Sequence, residues 1–299
     1  ATARDRARRQ PLLATSRAEE VAAQAGTITA RAYPNPELTM EPGRFRPRGA
    51  GSDGSSTVVS IGQPIENPWL RESRLALAEQ GVEVARSRTA AQRAGLAAAI
   101  RTRFFEIVRL KEEIVAYRED LQLTEQIRDR ILLRTRTGEA PRFDLVRAEG
   151  EVEQARKNLA SARAREKQAL ASLRSLVGPV LGLEYDIRRA PGPTRLFEES
   201  EYRALRDGIV DRSPEVRLAR RQLEQAERQL SLERNAVLPQ VTLRAAQERD
   251  PEVNVTRIGA QLTLPLVNRR EGPIAEAQAQ IERARRLLEQ RRFETLTAF

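Results

Sequence analysis

Apolar residues recur every three to four positions along most of the chain, whereas two pairs of short stretches alternate apolar with polar residues. The first period is typical of helices and the second of strands. Together they predict a mainly α-helical protein with a small β part. We expect helices over 12–32, 69–136, 141–177, 214–236 and 273–299, and strands over 36–45, 57–66, 239–248 and 254–266.

The order helix, strand, strand, helix occurs twice along the chain. Pro34 aligns with Pro239, and the apolar positions of the flanking helices then fall into the same register. This internal repeat predicts a first copy over 1–178, a connector over 179–212 and an incomplete second copy over 213–299. With copies of equal length, roughly eighty residues of the second are missing, so we expect a fragment or, given no apolar leader, a processed chain.

The longest predicted helix carries a seven-residue repeat, with Ile107, Ile114 and Leu121 on one line and Leu110 and Tyr117 on the next. Such a repeat is typical of a coiled coil. At ~1.5 Å per residue the helix would be on the order of 100 Å long. A Gly-Glu-Ala-Pro turn then reverses the chain, and the return helix has alanine at alternate seam positions. We therefore predict two closely packed antiparallel helices.

The alternating segments have one apolar and one polar side. Each is about as long as the ~10 residues that a tilted membrane strand requires. We predict that the polar side lines a wet lumen, through Glu37, Glu41, Arg257 and Gln261. We predict that the apolar side faces lipid, through Leu38, Met40, Ile258, Ala260, Leu262 and Leu264. Tyr33 and Trp69 flank the first hairpin on its helical side, where an aromatic belt is expected.

A soluble, half-buried sheet would show the same alternation, and Glu37 and Glu41 could equally be ordinary exposed strand residues. Barrel closure favours the membrane interpretation. Four strands cannot close a barrel, because closure begins near eight, whereas three copies of the chain would supply twelve strands. No apolar run approaches the ~20 residues of a spanning helix, so any membrane crossing must use the strands.

Composition restricts the chemistry that the chain can perform. The 52 basic residues exceed the 42 acidic ones, giving a net charge of +10, but the two signs are interleaved along every helix. Solvated helix faces explain this pattern better than nucleic-acid binding, for which no module is present. The chain has no cysteine, no histidine and one methionine, so it offers no thiolate, no disulfide and no imidazole metal ligand. We predict no catalytic residue, metal site or cofactor.

Several moderate motifs together resemble the heavy-metal-efflux branch of the TolC-type outer-membrane efflux proteins. The resemblance covers essentially the whole chain. It rests on Tyr33-Pro34-Asn35-Pro36-Glu37-Leu38, Arg136-Thr137-Gly138 followed by Asp144 and Ala148-Glu149, Leu173 to Gly178, Ser213-Pro214-Glu215, and Leu264-Pro265-Leu266 with Asn268 and Gly272.

This resemblance implies a homotrimer in the outer membrane, with a twelve-stranded transmembrane β-barrel and an α-barrel of coiled-coil helices in the periplasm. It also implies a periplasmic adaptor protein and an inner-membrane pump, of the RND type, as partners. Thr137, Gly138, Glu139 and Asp144 would then lie at the periplasmic tip, in contact with the adaptor or sealing the tunnel. A first-turn carboxylate favoured by the helix dipole is the simpler interpretation of Asp144.

Two functions remain open on the sequence alone. A passive outer-membrane efflux conduit would use the strands in lipid and could carry metal cations or small organic compounds. A soluble periplasmic adaptor or coiled-coil scaffold would use the same helices without lipid-facing strands. An enzyme is the weakest of the classes, because carboxylate pairs such as Glu112 and Glu113 sit on a predicted solvated helix with no pocket implied.

Overall fold

The computed structural model describes residues 11–46, 53–179, 181–182, 185–187 and 198–298. The predicted mainly helical fold with four strands is confirmed. Its elements are α1 (Pro11–Arg31), β1 (Glu37–Phe45), β2 (Gly54–Ile65), α2 (Pro68–Arg136), α3 (Arg142–Val177), α4 (Glu199–Arg212), α5 (Pro214–Asn235), β3 (Gln240–Arg249), β4 (Asn254–Thr263) and α6 (Glu271–Thr297). No described helix combines the length and the apolar character needed to span a membrane.

The four strands form one antiparallel sheet in the order β1-β2-β3-β4. Each pairing runs without interruption, from Glu37 opposite Gly62 in the first hairpin to Arg249 opposite Asn254 in the second. The two hairpins join through β2 and β3, which leaves β1 and β4 as the outer strands. All four strands meet the helices at one end of the sheet, called here the helix end, and turn at the other, the loop end.

Two predicted strand boundaries are wrong, each for a local reason. β2 begins at Gly54 rather than at residue 57, because Ser55 and Ser56 pair with β1. β4 ends at Thr263 rather than at residue 266, because Pro265 has no N–H to donate to a ladder. Leu264, predicted as a strand residue, therefore lies just beyond β4, where its carbonyl accepts from the N–H of Leu266 at 2.9 Å.

Contacts between residues divide the chain into two compact units, whose boundaries differ from those of the predicted repeats. One comprises Ala1–Thr15 and Ala91–Glu199, and the other Ser16–Ala90 and Ser200–Phe299. The second unit holds the whole sheet, and the first holds the turn between α2 and α3. The division into a first repeat, a connector and a second repeat stays a prediction, since much of the connector lies outside the described residues.

The hairpin of α2 and α3 packs along the predicted coiled-coil seam. Ile107 and Leu110 lie against Ala169 and Leu173 in one buried cluster. Farther along, Ile114 packs with Leu159 and Ala162, with Tyr117 and Leu121 beside them. In the return helix α3 the alanines at alternate seam positions are buried: Ala148, Ala155, Ala162 and Ala169. Alanine lets the two backbones approach closely, which explains why this side of the seam is built from small residues.

The second unit contains α5, which begins at the predicted residue 214. The hydroxyl of Ser213 accepts the backbone N–H of Val216, with Pro214 at the first helical position and Glu215 in the first turn. Val216 and Ala219 of α5 are buried against Leu288 of α6. This packing holds together the two helices that flank the second hairpin.

Ala162→Leu should lower the unfolding temperature of the helical circular-dichroism signal. Ala162 is fully buried in the seam, so a larger side chain must force α2 and α3 apart, at a cost of about 1–3 kcal/mol. Ala160→Leu on the exposed side of the same helix is the matched control. An equal change in both variants would contradict the close-packed seam.

Candidate functional site

The strand register collects the alternating residues onto two chemically different faces of the sheet. Residues directly opposite each other across an antiparallel pair point to the same side. Leu38, Ile61, Ala245 and Ile258 form one such row across all four strands. The same face, called here the apolar face, carries Met40, Val59, Ile65, Val241, Leu243, Ala260 and Leu262.

The apolar face is the more exposed side of the sheet. Ile258 is 87% exposed and Leu38 is 74% exposed, whereas Ser60 on the opposite face is 7% exposed. A soluble sheet packed on helices has the reverse arrangement, with its apolar side buried. An outward apolar side with a polar inner side is the pattern of a transmembrane barrel wall. Leu38, Met40, Ile258, Ala260 and Leu262 are thus brought together on one exposed surface.

The opposite face, called here the polar face, carries the four residues predicted to line a lumen. Glu37 and Glu41 lie on it in β1, and Arg257 and Gln261 lie on it in β4. Arg257 forms an ion pair with Glu248 of the neighbouring strand. Arg244 occupies the same face between Gly62 and Gly259, so the face contains charges of both signs.

At the helix end of the first hairpin, arginines of α2 hold the end of α1. The Arg74 guanidinium forms two bonds to the Glu66 carboxylate, at 2.7 and 2.9 Å. It also donates to the carbonyls of Ala30 and Ala32, at 3.1 Å each. Because the last carbonyls of a helix have no intrahelical partner, these bonds satisfy groups that would otherwise need water. The start of β1 is thereby positioned relative to α2.

The two predicted interface aromatics lie at this same junction. Tyr33 lies under the guanidinium of Arg71, 4.5 Å from the ring centroid, and Trp69 is in the first turn of α2. Both rings are largely exposed. Their placement beside the helix end of the exposed apolar face agrees with an aromatic belt, which itself stays a prediction.

The second hairpin is held by a different arrangement that the sequence did not reveal. Arg270 adopts a left-handed backbone, with φ of 57°, immediately before α6. Its guanidinium binds the nearly buried carboxylate of Glu233, to which Gln229 donates at 2.7 Å. Its backbone N–H donates to the Asn268 side chain at 2.9 Å. These bonds offset the cost of a left-handed non-glycine residue.

The turn between α2 and α3 has the geometry of a Schellman motif. Gly138 has a φ of +82°. The N–H of Glu139 donates to the Arg134 carbonyl at 2.8 Å, and the N–H of Gly138 donates to the Thr135 carbonyl at 3.3 Å. The Thr137 hydroxyl donates to the Arg134 carbonyl at 3.0 Å. The predicted tip residues therefore form a tight, defined turn.

One detail at the tip corrects the sequence analysis, and one feature was missed. Pro141 precedes α3 as its N-cap instead of occupying its first helical position. Asp144 follows as the first-turn acid and is exposed. Leu133, Phe143 and Val146 expose large apolar side chains around the turn, with Phe143 73% exposed. They were missed because they lie off the heptad seam, although Phe143 directly follows the turn.

A perturbed pKa and the placement of metal-binding side chains also bear on the chemistry. Away from the sheet, burial raises the pKa of Tyr185, and nearby Arg174 partly offsets the rise. Within the described ranges, no group of three or more His, Cys, Asp or Glu side chains could hold a metal ion.

These surfaces define a helical protein with an outward apolar sheet, and the comparisons assign its family. The model of the outer membrane efflux protein family matches residues 4–179, which is more than half of the chain. The chain therefore belongs to this family. The family is one of channels rather than of enzymes. The resemblance to the TolC-type efflux proteins is thus confirmed.

Among individual relatives, the cobalt-zinc-cadmium resistance protein CzcC of Cupriavidus metallidurans is 24% identical over 265 residues, in agreement with the heavy-metal branch. The match covers 87% of this chain and 61% of CzcC, so the chain spans less than two thirds of that relative. The fold is similar to the outer membrane protein VceC of Vibrio cholerae, with a TM-score of 0.77 at 17% identity over 97% of this chain and 74% of VceC. CusC, studied for its transmembrane channel formation, has a TM-score of 0.73 at 15% identity, over 98% and 71% of the two chains.

Gly138→Ala and Gly150→Ala should change stability in opposite directions. A Cβ at either position would meet no atom within 4 Å, so only backbone conformation differs. Gly138 is left-handed and alanine there should cost about 1 kcal/mol, whereas Gly150 lies within α3 and alanine there should stabilise by about 0.5–1 kcal/mol. Thermal unfolding of the two variants measures the difference. Similar shifts of both would contradict the turn geometry.

Proposed function

We propose that the chain is the outer-membrane channel component of a tripartite efflux system. In this proposal the sheet crosses the membrane and the long helices continue into the periplasm as an α-barrel. The observation that carries it is the exposed apolar face, on which eleven strand residues from Leu38 to Leu262 point to one side. In water such a surface would be a liability, and in lipid it is the required exterior.

Unpaired strand edges support a trimer. β1 and β4 are the outer strands of the four-stranded sheet, and backbone groups exposed to hydrocarbon would each cost several kcal/mol. Four strands are too few to close on themselves, since closure begins near eight strands. Three chains joined edge to edge, β4 of one to β1 of the next, would give a closed barrel of twelve strands.

The proposed channel performs no chemistry, and solutes move through it passively. Its lumen would be lined by the polar face, with Glu37, Glu41, Arg257 and Gln261 in contact with water. On that face the described strands carry three glutamates and two arginines, with Arg257 and Glu248 paired. This near balance favours a wide aqueous conduit whose selectivity is set mainly by the inner-membrane partner.

The relatives and the tip support candidate substrates and partners. CzcC is named for resistance to cobalt, zinc and cadmium, so divalent metal cations are the first candidate substrates, with small organic compounds as the alternative. An RND-type pump would supply them through a periplasmic adaptor. Thr137, Gly138, Glu139 and Asp144 would form the adaptor contact, together with the exposed Phe143 and Val146.

A soluble adaptor or scaffold is the competing function, and the sheet disfavours it. Such a protein would bury the apolar side of its strands or lack strands of this kind. Here Ile258, Met40 and Leu38 are among the most exposed large apolar residues of the described chain. The helical hairpin alone would fit either function.

Spin labels at neighbouring strand positions test the conduit directly. The sequence contains no cysteine, so Ile258→Cys and Arg257→Cys each introduce one labelling site into it. Any cysteine that the full-length protein carries outside this sequence is replaced by serine. With the full-length protein in vesicles, the label at 258 should be relaxed by lipid-soluble oxygen and the label at 257 by a water-soluble nickel complex. The physical reason is that adjacent strand residues face opposite sides. Bulk-water exposure at both positions would refute the membrane sheet.

The adaptor contact has a separate test. Replacing both Phe143 and Val146 by serine should lower metal export severalfold in cells while the trimer remains intact by native electrophoresis, because only the tip loses apolar surface. Val115→Ser, an exposed apolar position on α2 away from the tip, is the matched control. Unchanged export in the double variant would remove these residues from the adaptor contact and leave the conduit itself untouched.

A further inference from the structure

Charges are distributed unequally between the two faces of the sheet. All the glutamates of the described strands, at positions 37, 41 and 248, lie on the polar face. The apolar face carries no acidic residue in these strands, and its only charged residues are Arg44 and Arg249. Both arginines lie in the rows nearest the loop end. The exposed apolar surface therefore has one cationic rim.

The strand residues that share a row with either arginine carry no charge. Arg249 lies in the row of Pro42, Thr57 and Asn254. Arg44 pairs with Ser55 in the next row toward the loops. One strand, β2, lies between them, and Arg44 is offset from the row of Arg249 by two residues. Two inter-strand spacings and this offset place their backbones roughly 12 Å apart. Long, flexible arginine side chains can approach each other across this distance or bind two groups of one headgroup.

Neither guanidinium is neutralised within the described part of the chain. No ion pair to Arg44 or Arg249 is found there, whereas Arg257 on the other face is paired with Glu248. Asp250, the acid adjacent to Arg249, uses one carboxylate oxygen to accept the backbone N–H groups of Glu252 and Val253, at 3.0 and 2.7 Å. That oxygen is directed into the β3–β4 turn.

We propose that Arg44 and Arg249 form a docking surface for the phosphate groups of outer-leaflet lipid. The inference rests on the proposed function, in which the apolar face lies in hydrocarbon and the loop end lies at the outer surface. An arginine on the lipid side is costly at the bilayer midplane and nearly free close to the interface, which matches its restriction to the rim. A planar guanidinium binds phosphate through two parallel hydrogen bonds, and charge complementarity selects an anionic headgroup.

Native mass spectrometry of the full-length trimer tests the docking surface. The probes are bisphosphorylated lipid A and the same lipid with one phosphate removed. The wild-type protein should retain more of the bisphosphorylated form. Arg44→Gln and Arg249→Gln should each weaken its binding about fivefold, the effect of one basic residue beside an anionic surface. Arg244→Gln, on the same strand as Arg249 but on the polar face, is the control and should change nothing.

Each alternative outcome overturns a defined part of the argument. Equal retention of both lipids by the wild-type trimer, or an equal loss in Arg244→Gln, would refute the rim as a phosphate site. Displacement of the lipid by inorganic phosphate would show a free-anion site and also refute it. A chain that forms no trimer and retains no lipid of either kind would instead refute the proposed function. Because the wild-type comparison needs no variant, poor folding of a variant leaves the inference testable.

Discussion

Strict two-residue alternation along an uninterrupted antiparallel ladder is the constraint on which the rest depends. A shift of one residue in any pairing would move a whole set of apolar side chains to the other face. The register prevents this: Leu38, Ile61, Ala245 and Ile258 lie opposite one another across all four strands. The exposed apolar face, the polar face and the cationic rim all follow from this register.

The helical parts serve this sheet through two unlike junctions. At the first hairpin, Arg74 joins Glu66 to the carbonyls of Ala30 and Ala32 at the end of α1. A single guanidinium thus connects one helix, the end of a strand and the next helix. At the second, the strand leads into α6 through a left-handed arginine held by Glu233. The order of elements occurs twice along the chain, but the side-chain contacts at the two junctions differ. Each hairpin is therefore held to its helices by a different set of hydrogen bonds and ion pairs.

Periodic features and short turn signals could be predicted from the sequence, whereas features that depend on residues distant along the chain could not. The heptad seam and the two strand faces emerged because side-chain direction repeats every 3.5 or two residues, independently of tertiary context. The predicted strand ends were wrong where a local effect decided the boundary, as with Pro265 after β4 or the serines that extend β2. Arg270 and the rim of Arg44 and Arg249 were missed because their significance depends on neighbours distant in sequence, and Phe143 was missed because it lies off the heptad seam.

The open edges of β1 and β4 have a consequence for how the protein matures. A single chain with both outer strands formed would present two templates for uncontrolled cross-β aggregation while it crossed the aqueous compartment. The α2–α3 hairpin, by contrast, buries its seam within one chain and needs no second chain to cover it. Biogenesis in the proposed trimer therefore favours an order in which the coiled coils form first and bring three chains together, and the sheet is completed last, as the subunits enter the bilayer.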